Sequence, residues 1–203
     1  MRLGRAHKPF DDPEWLFEVK HDGFRALAYL EKDKCRLISR KGHEFSGFDP
    51  LREDIARNLR AADAVVDGEI CCLGKDGRSV FHLLLFRKGL PHFYAFDLLW
   101  LDGKDLRKFP LIERKKMLNS ILPHSPAQIL FTPHLDGKGV QLFTAACDYD
   151  LEGIVAKRKI SAYIDGADGV TDCWLKIKNP SYSQADGRHD LLASARKPPP
   201  PVF

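Results

Sequence analysis

Glu18-Val19-Lys20-His21-Asp22-Gly23-Phe24-Arg25 sets a lysine at the end of a strand-like run, Trp15 to Val19, directly before a turn built on Asp22-Gly23. Lysines ordinarily sit where water reaches them. This one follows apolar Trp15, Phe17 and Val19 and is bracketed by a carboxylate, a glycine turn and an arginine. A lysine held at a pocket mouth beside other cations can lose its proton near neutral pH and become a nucleophile. The same residues also fit a plain Asp-Gly hairpin turn with an exposed lysine beside it.

Three further segments lie at the edges of strand-like runs. Ala64 to Ile70 carries two acids, Asp67 and Glu69, in an apolar context, and Asp150 to Lys157 sets Glu152 at the mouth of another strand. Trp174-Leu175-Lys176-Ile177-Lys178 alternates so strictly that both lysines must point to one face. Two ammonium groups on one face repel unless an anion lies between or over them. A polyphosphate is the natural candidate, with the carboxylates of Glu69 and Glu152 available for a divalent metal. Singly, each segment also reads as a solvated strand end or the wet side of an amphipathic strand. Their joint occurrence is what argues for a site.

The rest of the chain sets bounds. At 203 residues it suits one domain with a sizeable core, and 44% hydrophobic with 30% charged residues is ordinary for a soluble protein. No apolar run approaches the length of a membrane span, and Met1 to Arg5 leads into no apolar signal region, so the expected place is the cytoplasm, or the nucleoid of a bacterium. Five cysteines without Cys-x-x-Cys spacing suggest reduced thiols. The net charge of +4 is mild, but Arg2, Arg5 and Lys8 lead the chain and Arg36, Arg40 and Lys41 follow a strand, where they suit a phosphate backbone.

Alternation and turn signals predict strands at Trp15–Lys20, Phe24–Glu31, Cys35–Ser39, Ala64–Leu73, His92–Leu101, Ile129–Thr132, Ile154–Lys159 and Cys173–Lys178. Helices are predicted at Leu51–Arg60, Val80–Arg87, Leu111–Ile121 and Gly139–Tyr149, with Pro110 suited to a helix start. Hairpin-like neighbours among the first three strands argue for antiparallel pairing and a mixed α+β fold.

Lys20-x-Asp22-Gly23-x-Arg25, Ser39-Arg40-x-Gly42, Asp67-Gly68-Glu69, Phe93-Tyr94-Ala95-Phe96-Asp97, Glu152 to Lys157 and Trp174 to Lys178 resemble, in this order, the motifs of the covalent nucleotidyltransferases. The match is closest to the adenylation domain of bacterial ATP-dependent DNA ligases of the end-joining type, from about Pro9 to Arg188. The resemblance implies the α+β fold of DNA ligase and mRNA capping catalytic domains, ATP-grasp-like, with largely antiparallel sheets and flanking helices. It divides the chain into a basic arm (1–9), the adenylation domain (10–180) and a polar, proline-rich tail (181–203). Complete ligases continue into an OB-fold domain, for which the tail is too short.

The resemblance also implies a reaction. Lys20 attacks the α-phosphorus of ATP, expels pyrophosphate and keeps AMP, which then passes to a 5′-phosphate so that a nick is sealed. Glu18 with adjoining backbone reads the adenine amino group, and Phe96 stacks on the base. Arg25 and Glu69 hold the ribose, and Arg40 lies between ribose and nucleic acid. Glu152, with Glu69, coordinates Mg²⁺ or Mn²⁺, while Lys176 and Lys178 grip the phosphates. The implied partners are nicked or broken DNA with a 5′-phosphate, and an OB-domain or repair protein. RNA ligases and GTP-using capping enzymes share the lysine motif and remain alternatives. So does a non-catalytic nucleotide-sensing or DNA-end-binding subunit, although such a binder has no need of a nucleophile.

Overall fold

Trp15-Leu16-Phe17-Glu18 are all buried, so their strand is covered on both faces and must lie between other layers. The structure, a computed structural model, describes residues 1–123, 127–164 and 170–185. The strands are β1 (Arg2–Arg5), β2 (Asp11–Val19), β3 (Phe24–Glu31), β4 (Lys34–Ser39), β5 (Asp63–Cys72), β6 (Pro91–Leu101), β7 (Lys104–Asp105), β8 (Ile129–Phe131), β9 (His134–Lys138), β10 (Gly153–Arg158) and β11 (Val170–Lys178). The helices are α1 (Asp49–Asn58), α2 (Phe81–Leu85), α3 (Leu111–Ile121) and α4 (Gly139–Asp148). Every expected strand and helix is present within a few residues, and α3 has the expected bounds.

The strands form two sheets. The first runs β1-β11-β10-β2-β9; the second runs β4-β3-β5-β6-β7, with β8 alongside β6. Pairing is antiparallel except for β1 with β11 and β8 with β6. Three apolar clusters hold the layers together. One lies between the second sheet and helices α1, α2 and α3, including Leu51, Ile55, Leu84, Phe93 and Leu118. Another joins the outer face of the first sheet to α4, through Phe17, Ala146, Ile154 and Ile177. The third lies between the sheets, where Leu16 and Trp174 of the first meet Leu99, Val65 and Leu27 of the second.

One expectation is corrected. β3 does pair antiparallel with β4 on one side and with β5 on the other, but β2 lies in the other sheet. Lys20 to Gly23 is therefore a crossing between sheets and not a hairpin turn. The reason is close packing: a Cβ on Gly23 would stand 2.0 Å from the Ile70 carbonyl oxygen and 2.9 Å from Cys71 Sγ, so only glycine lets the chain pass there. Arg2–Arg5 adds an edge strand to the first sheet and sets Arg5 opposite Lys176.

β7 and β9 had no signal in the sequence: one is two residues long and the other carries a glycine. Of the tail, residues 181–185 fold back over the crossing. Tyr182 donates to Asp22 Oδ2 (2.8 Å), and Ser183 and Gln184 bond Asp150 and the Ser79–Phe81 backbone. The remainder, with Pro198 to Pro201, lies outside the described residues.

Candidate active site

The strict alternation of β11 sends Leu175 and Ile177 into the outer core and turns Trp174, Lys176 and Lys178 toward the second sheet. By register, Glu18 of β2 and Val155 and Lys157 of β10 share that face. On the facing sheet, Arg25, Glu69 and Tyr94 stand opposite one another on adjacent strands. The result is a groove between the sheets, with Lys20 where β2 leaves one sheet for the other.

Lys20 Nζ donates to Glu152 Oε2 at 2.6 Å, and Lys178 Nζ lies 3.8 Å from the other oxygen of Glu152. Glu152 is aimed by a backbone break at its neighbour. Gly153 has φ +136°, and a Cβ there would stand 2.1 Å from the Ile177 carbonyl oxygen, so the strand can enter the sheet at this point only through glycine. Burial, then repulsion from Lys178, Lys20, Arg5 and Arg40, holds the Lys176 ammonium below its usual range. Five cations thus converge on one rim, and an anion is what such a set would bind.

Across the groove, Glu69 is pushed up to about 7, first by burial, with Glu152 and Asp67 adding to it against the opposing pull of Lys20 and Arg25. Beside Lys20 opens a cavity of about 240 Å³ lined by His21, Arg78, Tyr94, Glu152 and Tyr182, among others. His21 stacks on Tyr94 with ring centroids 4.0 Å apart.

Of the nine residues singled out in the sequence, Lys20, Arg40, Glu69, Glu152, Lys176 and Lys178 surround this rim. Phe96 belongs to the cluster between the sheets and not to the main core, with Lys157 Nζ 4.2 Å and the Arg25 guanidinium 5.5 Å from its ring centroid. Two residues are held by partners the sequence did not announce. Arg25 makes a bidentate pair with buried Asp67 (3.0 and 2.6 Å) and donates to the Met1 carbonyl oxygen. Asp67 also accepts from the Tyr163 hydroxyl (2.8 Å). Glu18 is 2% exposed, with Lys115 Nζ 2.5 Å from one carboxylate oxygen and Lys157 Nζ 2.5 Å from the other.

Arg114 is the second missed residue of α3. It is fully buried and pairs with Asp97 through Nε and Nη2, both at 2.7 Å. Glu113-Arg114-Lys115-Lys116 looks like a solvated face, yet Arg114 and Lys115 fall at the i+3 and i+4 positions of a stripe otherwise filled by Leu111, Leu118 and Ile121. That spacing was the signal that could have found them.

Two carboxylates suit a divalent ion that takes its remaining ligands from phosphate oxygens and water. Glu69 and Glu152 meet that description: they repel each other across the groove, which a dication would relieve. Among the described residues no cluster of three or more His, Cys, Asp or Glu groups is gathered for an all-protein cage. None of the described helices is long and apolar enough to cross a membrane.

Comparison with known proteins places the chain among DNA ligases. The multifunctional non-homologous end joining protein LigD of Pseudomonas aeruginosa is 32% identical over 171 residues, 81% of this chain but only 20% of that protein. The SPbeta prophage-derived DNA ligase-like protein LigB of Bacillus subtilis is 29% identical over 91% of this chain and 68% of its own length. The solved mycobacterial DNA ligase D complexed with ATP and MES superposes with a TM-score of 0.74 at 29% identity, covering 88% of this chain and 60% of that one. This chain therefore spans about a fifth to a third of the end-joining relatives it matches. The sequence model described as ATP dependent DNA ligase domain matches residues 3–178, and the chain belongs to that family.

Proposed function

We propose that this chain is the adenylating lobe of an ATP-dependent DNA ligase of the end-joining kind, and that Lys20 carries the nucleotide. The carrying observation is the Lys20–Glu152 pair at the centre of a rim of cations from three parts of the chain, Arg5, Arg40 and the β11 lysines. In the reaction the bond from Lys20 Nζ to the α-phosphorus forms as the bond from that phosphorus to the pyrophosphate oxygen breaks. An ammonium has no lone pair, so Nζ must first give up a proton. Glu152 Oε2 at 2.6 Å is the acceptor within reach. Lys176 and Lys178 take the charge spread over the phosphate oxygens, which grows at the leaving group.

Glu18, with the adjoining backbone, is our reader of the adenine amino group and Phe96 the stacking ring. Arg25 is committed to Asp67, so we assign the ribose hydroxyls to Glu69 and give Arg25 the part of holding that wall. Arg40, at the rim, faces both ribose and nucleic acid. Glu69 and Glu152 would hold Mg²⁺ or Mn²⁺, which when bound neutralises phosphate charge. AMP then passes to the 5′-phosphate of nicked or broken DNA, and a 3′-hydroxyl displaces it. An OB-domain or repair protein partner, and work at the bacterial nucleoid in the cytoplasm, complete the reading.

The test is incubation with α-labelled ATP and Mg²⁺, then denaturing electrophoresis. The chain should take up label, and Lys20→Ala and Lys20→Arg should not, since a guanidinium stays protonated. Label retained by either variant would assign the nucleophile elsewhere.

A further inference from the structure

Helix α3 buries a lysine that the reaction as described does not use. Lys115 is 1% exposed, and its ammonium lies 2.5 Å from Glu18 Oε1, 3.0 Å from the Thr132 carbonyl oxygen and 3.5 Å from the Phe96 carbonyl oxygen. These three partners belong to β2, to β6 and to the segment between β8 and β9. One ammonium therefore ties together the walls that carry the base-reading carboxylate and the stacking ring. A buried lysine is costly and persists only where its charge and donors are matched. Here they are matched by one carboxylate and two carbonyls.

We propose that Lys115 is a positioning residue for nucleotide choice: by holding Glu18 as a carboxylate aimed into the groove, it selects purines with a 6-amino group over 6-oxo purines. This rests on the reading of Glu18 as the base contact. The chemistry is a matter of donors and acceptors. A carboxylate only accepts, so it bonds the amino group of adenine and is repelled by the 6-oxygen of hypoxanthine or guanine. A carboxylic acid can donate, and then accommodates the 6-oxygen. The protonation state of Glu18 is thus a specificity switch.

Burial by itself would push the Glu18 carboxyl up. Lys115, then Lys157, outweigh it and hold the group below the usual carboxylate range. The other charged or titratable groups around this pair are His21 after β2, His134 on β9, and Asp97 on β6 beyond Lys157. Both histidines are held below their usual range, first by burial. Lys157 is itself held down to about 8, first by burial and opposed by Glu18. When Lys115 is removed, Lys157 still holds Glu18 Oε2 but Oε1 loses its ammonium.

The experiment measures lysyl-nucleotide formation with ATP and with ITP, which differ only at the 6 position and its adjoining ring proton. The ratio of the two rates at low nucleotide concentration is independent of how much of a preparation is folded. Wild type should prefer ATP, with a ratio flat between pH 8 and pH 6. Lys115→Met should lower the ratio by ~10-fold or more, since a site built on hydrogen bonds loses discrimination when they are mis-set. Lys115→Gln, which keeps donors but no charge, should fall in the same direction, and Lys115→Arg should keep most of the preference.

A ratio unchanged in both Lys115→Met and Lys115→Gln overturns the proposal. Glu18→Gln separates the two levels, because an amide can offer either a donor or an acceptor. If it leaves the ratio intact, Glu18 does not read the base. If it collapses the ratio while both neutral Lys115 variants keep it, Glu18 reads the base without help from Lys115.

Discussion

Arg114→Met tests whether the Asp97–Arg114 pair is what seats α3 against the second sheet. Both side chains are fully buried, the guanidinium meets the carboxylate through two 2.7 Å bonds, and it also donates to the carbonyl oxygens of Phe109 and Ser161. Methionine fills similar space but leaves an uncompensated buried carboxylate, a change that costs about 3–5 kcal/mol. For a domain of this size that corresponds to a fall in Tm of roughly 6–20 °C. The cost has a predictable pH dependence. Asp97 is already raised above its ordinary value, first by burial, with Arg114 opposing. Without Arg114 it rises further, so the folded variant binds a proton that the unfolded chain releases. The penalty must then be smallest at low pH and grow as pH rises.

Urea denaturation followed by tryptophan fluorescence, at pH 5 and pH 8, gives both quantities. A second variant, Arg114→Met with Asp97→Leu, removes the stranded charge and should recover much of the loss. A cost below about 1 kcal/mol at pH 8, a cost equal at the two pH values, or a double variant no better than Arg114→Met alone would refute the reasoning.

Glu152→Ala and Lys176→Ala should each slow single-turnover adenylylation by about 10²–10³ while changing ATP affinity only a few-fold, because both act on charge that moves in the transition state; a loss confined to affinity would count against these roles. His21 is held down to about 4, first by burial, so the unfolded chain takes up the proton and stability should fall as pH drops from about 6.5 toward 4, by up to about 2–3 kcal/mol. His21→Phe keeps the stack on Tyr94 and should flatten that part of the urea-midpoint profile; an unchanged slope would assign it to other groups. Gly23→Ala should destabilise by at least about 2 kcal/mol and slow adenylylation, since its Cβ would meet the Ile70 carbonyl oxygen at 2.0 Å; a variant as stable and active as wild type would show that the crossing can relax.

What can be read locally was legible. Period-two alternation fixed Lys176 and Lys178 on one face of β11, and Leu175 and Ile177 on the other, before any partner was known. Helix α3 could be bounded from Pro110 and its apolar spacing. The order of the motifs was enough to name the family, and with it the groove. In each case the information lies within one element or its neighbours, where backbone periodicity decides the outcome.

Which sheet a strand joins, and which charge meets which, is not a local property. Lys20 to Gly23 reads as a turn in either case. It becomes a crossing only because β2 finds β9 and β10, while β3 finds β4 and β5. Arg2–Arg5 carries no strong strand pattern, yet pairing with β11 brings Arg5 to the cationic rim. Glu18 is separated from Lys115 by 97 residues and Tyr182 from Asp22 by 160, and Arg25 turns away to Asp67. A buried charge must find an opposite one in low dielectric, and the packing of two sheets and a helix decides which is within reach. The sequence by itself determined most of the elements, their faces and the family; only the tertiary structure decided the partners and the strands β1, β7 and β9.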